Sequence, residues 1–313
     1  MSKICPITYR SLQSGEKIYS KEGLKQLSRQ LKSLKVFPYT AQEQRLEAKA
    51  LASRISIQGV QPKLSARLSV TKEGFEIVRK QGKYILKPQT ADYLELPENE
   101  DLTMRLAESV GIETPFHGLL FCKDGSWTYF IKRMDRVGHK DKIALEDFSQ
   151  LAEKYRETKY DYTIEKLIKL IDDYTTFPML EKLKFYKRFL FNYIVGNEDM
   201  HLKNYSLIRN NHKVALSPAY DFVNSTIVLK NPREETALSL SGKKGHLGQK
   251  DLFVYLPKRL GLNDASVEII FQDFQKGFSQ WRVFLEENFL SKELQEKYKQ
   301  LIMQRLERLE WKY

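Results

Sequence analysis

The chain has 313 residues, 42% of them apolar, with 52 lysines and arginines against 40 aspartates and glutamates, a formal charge of +12. That is enough apolar material for a large core and one to three domains, and no run of 18 apolar residues marks a membrane span. The start MSKICPITYR lacks a signal-peptide core, and Cys5 and Cys122 make neither a disulfide framework nor a zinc spacing, so a reducing cytoplasm is the expected compartment.

Residues 1–50 read as leader helices packed on the core that follows; 1–40 are basic, with one expected helix over 21–35 ahead of Phe37-Pro38. Thr40-Ala41-Gln42-Glu43 is a capping box, which predicts a helix over 41–52. Strands are expected over 63–70, 75–79 and 83–87, joined by the turns Lys72-Glu73-Gly74 and Gln81-Gly82. Residues 97–110 carry a helical pattern that Gly111 is placed to end. Residues 117–122 and 126–134 form a hairpin around Lys123-Asp124-Gly125. From Leu145 onward the pattern is helical, interrupted by a hairpin over 207–216. Residues 163–174 put Ile164, Leu167, Ile168 and Ile171 on one face. Two long amphipathic helices are expected over 266–289 and 291–311, their aromatics read as core. A β-rich segment 51–136 after the leader and a helical segment 137–313 predict an α+β, two-lobed, protein-kinase-like plan with a small β-rich N-lobe and a mostly helical C-lobe.

Two short stretches carry chemistry: Gly196-Asn197-Glu198-Asp199-Met200-His201-Leu202-Lys203-Asn204, and Tyr220-Asp221-Phe222. Asp199 can orient and deprotonate a hydroxyl, while Asn204 and Asp221 offer hard oxygen ligands to Mg²⁺. The Asp-to-Asn gap equals that of the kinase catalytic loop H-R-D-x-x-x-x-N, and Asp221-Phe222 heads a DFG-like element. Asn and Asp also favour ordinary turns. The order helix, polar loop, hairpin, aspartate favours phosphotransfer from ATP.

Other parts are weaker. The loop Gln58-Gly59-Val60-Gln61-Pro62-Lys63 lets backbone amides approach phosphate at Gly59, but matches no standard glycine-rich pattern and reads equally as a loop into a strand. Ser241-Gly242-Lys243-Lys244-Gly245 lacks the upstream glycine and the Ser/Thr of a Walker A loop and reads as a flexible loop. Lys87 ends a strand where a kinase places its phosphate-pairing lysine. Glu100 is the first candidate for its partner and Glu108 the alternative. Residues 129–136 would supply a hinge, with backbone groups of Lys132, Arg133 and Met134 facing adenine. The basic residues are interleaved with acids and no helix-turn-helix signature accompanies them, so the net charge alone argues weakly for nucleic acid.

Together, RISIQGVQPKLSARL (54–68), YILKP (84–88), LPENEDLTMRLAESVGIETP (96–115), IKRMDR (131–136), GNEDMHLKNYSL (196–207) and SPAYDF (217–222) resemble the HipA-like serine/threonine kinase toxins of bacteria. With only about 50 residues before the first of these stretches, the chain is similar to the short HipT form, whose missing subdomain is a separate small protein, HipS, beside a helix-turn-helix antitoxin, HipB. The resemblance implies Asp199 as catalytic base and Asn204 and Asp221 as Mg²⁺ ligands. It also implies His201 and Lys203 near the γ-phosphate, Lys87 on the nucleotide and residues 58–63 as the phosphate loop. Ser56 aligns with the family's autophosphorylated serine, and Ser53 is a second candidate with a different spacing. The implied substrate is a protein, typically an aminoacyl-tRNA synthetase; DNA would be met only through the antitoxin, and no membrane is involved. A lipid or small-molecule kinase and a non-catalytic partner of a DNA-binding antitoxin are the competing readings.

Overall fold

The structure is a computed structural model and describes residues 3–52, 61–138, 141–154, 158–232 and 234–311. Ser53, Ser56, Gln58, Gly59 and Val60 lie outside the described residues. The chain divides into two compact units. One comprises Met1–Leu102, Pro115–Arg133 and Glu286–Ser291; the other comprises Thr103–Thr114, Met134–Leu285 and Lys292–Tyr313.

The first unit is built on an antiparallel sheet of β1 (Leu64–Ser69), β2 (Gly74–Ile77), β3 (Tyr84–Pro88), β4 (His117–Phe121) and β5 (Trp127–Lys132), in the order β2-β1-β3-β5-β4. Helices α1 (Lys21–Leu27) and α2 (Ala41–Ala52) precede it, and α3 (Leu96–Ser109) lies between β3 and β4 in the chain. The capping box forms as the sequence predicts: Glu43 N–H donates to Thr40 Oγ1 at 3.0 Å and Thr40 N–H to Glu43 Oε2 at 2.7 Å. Leu64, Ala66, Phe75, Tyr84, Leu86 and Phe130 of the sheet share one core with Cys5, Ile7, Leu24, Leu31, Leu34 and Phe37. The two thiols are free and buried. Cys122 Sγ lies 3.2 Å from Thr128 Oγ1 and accepts from Gln44 Nε2 at 3.4 Å.

The helix expected over 21–35 stops at Leu27, because Ser28 adopts extended backbone. From there tertiary pairing wins over helical propensity. Lys35 N–H donates to Glu73 O and Phe37 N–H to Phe121 O, both at 2.8 Å, while Leu31, Leu34 and Phe37 are buried.

The second unit opens with β6 (Arg136–Val137) paired to β7 (Asp141–Lys142). β8 (Ala144–Asp147), β9 (Ser206–Asn210) and β10 (Lys213–Leu216) make a three-stranded antiparallel sheet with β9 in the middle. The helices are α4 (Phe148–Leu151), α5 (Ile164–Tyr174), α6 (Pro178–Val195), α7 (Leu256–Leu260), α8 (Asp264–Glu286) and α9 (Lys292–Arg308), with a π-helical turn at Lys250–Tyr255. The helical expectation from Leu145 is therefore wrong at 145–147, which belong to β8. Ala-Leu-Glu-Asp has helical propensity, but the edge of β9 offers it a ladder, with Leu145 opposite Ile208. Asp147 then caps α4 in a second capping box with Gln150.

The aromatics of α8 pack as core. Trp281 is fully buried, its indole donating to Leu106 O at 3.0 Å and Ser109 Oγ at 2.8 Å. Close approach of α8 to the end of α3 requires Gly277, where a Cβ would lie 2.6 Å from Val110 Cγ1 and 2.9 Å from Ser109 O. Gly277→Ala gains about 1 kcal/mol of helix propensity but overpacks against a backbone carbonyl, a penalty of about 1–3 kcal/mol. The variant is expected to melt below the wild type by circular dichroism; an equal or higher melting temperature would show that α8 has room to shift.

Candidate active site

Helix α6 is buried along most of its last two turns and must end inside the unit. It does so at Gly196, whose φ of +72° closes the helix through N–H bonds to Asn192 O and Tyr193 O. A side chain there would collide with Leu301 and approach Asn224 and Thr226 at 3.0 Å. The Gly196 carbonyl accepts from Thr226 N–H at 3.1 Å and from Thr226 Oγ1 at 2.9 Å. Asn197 is buried and turns back, its amide donating to Asn192 Oδ1 at 2.8 Å, and Glu198 N–H donates to Ser225 Oγ at 2.9 Å.

The polar loop that follows is held by its own members. Asn204 Nδ2 donates to the Asp199 carbonyl at 2.9 Å. His201 N–H donates to the same carbonyl at 2.8 Å, and Asn204 N–H to His201 O at 2.9 Å. The Asp199 side chain is 49% exposed, with one carboxylate oxygen 3.9 Å from His201 Nε2. Tyr160 Oη donates to that oxygen at 2.5 Å. Lys159 Nζ stands 2.6 Å from His201 Nε2. Burial above all pulls the His201 imidazole down to about 4; Asp199 opposes this and Lys159 adds to it. His201 is thus neutral at neutral pH and accepts from the Lys159 ammonium.

Asp221 follows β10 through Ser217-Pro218-Ala219-Tyr220. The buried Arg188 of α6 donates to Ser217 O at 2.6 Å, and Tyr220 Oη donates to Lys203 O at 3.0 Å, tying the two stretches together. Asp221 has φ +58°, left-handed backbone that a side chain rarely adopts. It is held there by its neighbour: Phe222 is buried and stacks on Phe191 at 5.4 Å. Aspartate tolerates this geometry better than most residues.

In the first unit, Lys87 of β3 is buried and its ammonium bonds Glu100 Oε1 of α3. Of the two carboxylates that the sequence offered, the pairing is with Glu100; Glu108 instead accepts from Thr114 Oγ1 at 2.6 Å. Lys87 Nζ also lies 5.5 Å from the centre of the Tyr129 ring. Lys132 N–H donates to Phe116 O and Arg133 N–H to Lys83 O, both at 2.8 Å, so these two hinge amides serve the sheet. Gln61, Pro62 and Lys63 lead into β1, Lys203 sits in the 3₁₀ turn Leu202–Asn204, and Met134 lies in a turn after β5.

Sequence reasoning missed Tyr160, Lys159, Arg188 and the buried pair His117 Nδ1 to Asp101 Oδ1 at 2.8 Å. Only Arg188, a cation inside the apolar run 186–195, left a signal.

A β-sheet unit with a buried lysine–glutamate pair, and a helical unit with a polar loop, a hairpin and an anchored aspartate, define an α+β fold of the protein-kinase-like class. The chain belongs to the family of HipA-like C-terminal domains, which its residues 55–281 match. It is 31% identical over 288 residues to a Haemophilus influenzae protein named "Putative kinase", covering 83% of each. It is 32% identical over 238 residues to "Putative kinase Y4dM" of Sinorhizobium fredii, covering 71% of this chain and 58% of that protein. Among solved structures it is similar to HipA of Shewanella oneidensis MR-1, determined with HipB and operator DNA. That match has a TM-score of 0.65 at 19% identity and covers 89% of this chain and 73% of that one. The Helicobacter pylori proinflammatory kinase CtkA matches with a TM-score of 0.52 at 16% identity, covering 72% of this chain and 87% of that one.

Two measurements test the electrostatics. Glu100→Ala strands a buried ammonium without this carboxylate and is expected to lose about 3–5 kcal/mol, whereas Lys87→Met with Glu100→Leu loses far less by urea unfolding. Equal losses would show that the pair does not govern stability here. Burial pushes the Glu198 carboxyl from 4.5 up to about 6, with Arg305 opposing and Glu234 and Asp199 adding to the rise. A raised carboxyl binds protons in the folded state that the unfolded state lacks, so this group weakens stability as pH rises through that window. Glu198→Gln is expected to raise the melting temperature above the window and not below it; a gain independent of pH would refute the assignment.

Proposed function

We propose that the chain is a serine/threonine protein kinase that uses ATP and Mg²⁺ and acts as the toxin of a bacterial toxin–antitoxin system. The carrying observation is the half-exposed Asp199 carboxylate on a loop that Asn204 braces, together with Asp221 held in left-handed backbone by Phe222. Among the described residues no group of three or more His, Cys, Asp or Glu could hold a metal unaided. Two oxygen ligands, Asn204 and Asp221, suit a cation that arrives with phosphate oxygens, as Mg²⁺ does with a nucleotide.

Asp199 would accept the proton of the acceptor hydroxyl. Asn204 and Asp221 would hold Mg²⁺, which neutralises charge on the transferred phosphoryl. His201 stays neutral beside the base. Lys203 and Lys87 would bring positive charge to the γ- and the α/β-phosphates, Gln58, Gly59, Val60, Gln61, Pro62 and Lys63 the phosphate-loop amides, and the remaining backbone groups of Lys132, Arg133 and Met134 adenine contacts. The acceptors would be a serine of a translation protein, with an aminoacyl-tRNA synthetase as first candidate, and Ser56 of the chain itself, with Ser53 second. A HipB-like antitoxin is the expected partner, supported by the Shewanella complex, with a HipS-like small protein beside it. That complex also favours a second reading, a non-catalytic partner of a DNA-binding antitoxin.

Label from γ-³²P-ATP separates the two. Asp199→Asn is expected to cut transfer by on the order of 10²–10⁴-fold while ATP binding by calorimetry stays near wild type, and Asp221→Asn to weaken Mg²⁺·ATP binding. Expressed alone, the wild type should arrest growth and the Asp221 variant should not. Undiminished transfer by the Asp199 variant would remove it as the base, and binding without transfer by the wild type would favour the second reading.

A further inference from the structure

The candidate base already holds a hydroxyl. Tyr160 Oη donates to Asp199 Oδ1 at 2.5 Å, inside the distance at which a general base holds the proton it is to remove. The residue before it makes a similar contact two positions along the loop, since Lys159 Nζ reaches His201 Nε2 at 2.6 Å. The two side chains support one another: the Lys159 ammonium lies 4.7 Å from the Tyr160 ring centre, and that ring meets the His201 ring edge-on at 5.1 Å and 84°. A turn at 158–161, closed by Asp161 N–H on Thr158 O at 3.0 Å, presents both residues. Two residues after the turn comes Thr163, the cap of α5, which is bridged to Ser239. Tyr160 is 37% exposed, so core packing does not force this hydroxyl onto the carboxylate.

We propose that Tyr160 is a surrogate acceptor: its phenol occupies, at Asp199, the place of the acceptor hydroxyl of a protein substrate, and phosphotransfer requires the Lys159–Tyr160 turn to release the base. The inference rests on Asp199 being that base. A phenol suits a plug better than a substrate. Burial first, and the Asp199 carboxylate next, push its ionisation well above the ordinary range, so it keeps its proton. By donating to the carboxylate it also occupies the oxygen that an incoming serine hydroxyl would have to reach. The acceptor must therefore displace a charge-assisted hydrogen bond, which favours a substrate whose flanking groups engage Lys159 or His201 over a free hydroxyl in water.

The test compares wild type, Tyr160→Phe and Asp199→Ala, each checked for an unchanged melting temperature. With γ-³²P-ATP and myelin basic protein as acceptor, Tyr160→Phe is expected to raise kcat/KM for the protein about tenfold, equivalent to about 1.4 kcal/mol, with the KM for ATP unchanged. ATP hydrolysis by water should rise with it. A tyrosine that merely staples the turn would leave turnover equal or lower, and that result overturns the proposal, as does phosphate on Tyr160 in the wild type by mass spectrometry. Absence of transfer from every form would count against the kinase reading itself. The contact is read without turnover, by peptide-mapped nitration with tetranitromethane. Tyr160 should react several-fold more slowly in the wild type than in Asp199→Ala, and equal rates would show that the base is not capped.

Discussion

The left-handed turn at Gly196, and the donors that its carbonyl accepts, decide where the polar loop of the helical unit can lie. A helix buried to its last turn cannot leave its final carbonyls to solvent, so they must be met by backbone and side chains. Here the partners come from Ser225 and Thr226, a few residues beyond Asp221. One carbonyl therefore fixes both the exit of 197–204 and the path of the segment after Asp221. Asp199 and Asp221 are far apart in sequence, yet their backbones are braced on the same helix end. Arg188, one helical face away, adds a second tie by holding Ser217 at the start of the Asp221 segment.

In the sheet unit the constraint is buried charge. Glu98, Asn99, Glu100 and Asp101 are all buried, as are Lys87 and His117. Such groups are tolerated only when each has a partner or gives up its charge. Glu100 takes Lys87 and Asp101 takes His117, while Glu98 follows the other route, pushed by burial up to about 8 and so largely neutral at neutral pH. This arrangement contributes little net stability compared with apolar packing. Its effect is to hold Lys87 in one position, which a lysine on a strand end would not otherwise keep.

Much of this was legible where a local rule decides. The start of α2 follows from Thr40 and Glu43, the end of α3 from Gly111, and the α6–loop junction from Gly196 at the edge of an apolar run. Long-range pairing was not legible. Residues 28–37 and 144–147 have helical or neutral propensity and leave the helical state because partners distant in sequence, Glu73 and Phe121 for the first and β9 for the second, take up their backbone groups. The partnership of Lys87 with Glu100 was read from the sequence, whereas nothing in the run Glu98–Asp101 announced that His117 lies against Asp101. For the candidate site, the spacing of Asp199, Asn204 and Asp221 was visible as chemistry. The contact of Tyr160 was not, since a Lys-Tyr-Asp turn nearly forty residues upstream has no pattern that links it to the loop.

Strand β4 ends the sheet, and the leader lies along its open side. Leu119 N–H donates to Pro6 O at 3.2 Å, Phe121 N–H to Tyr19 Oη at 2.9 Å, and Phe121 O accepts from Phe37 N–H at 2.8 Å. An uncovered edge of this kind is a template on which another chain can add a strand and begin to aggregate. Residues 3–37 thus do more than decorate the sheet. They occupy the positions that a stranger's backbone would take, so that loss or displacement of this segment would expose a sticky apolar edge before it disturbed any group involved in chemistry.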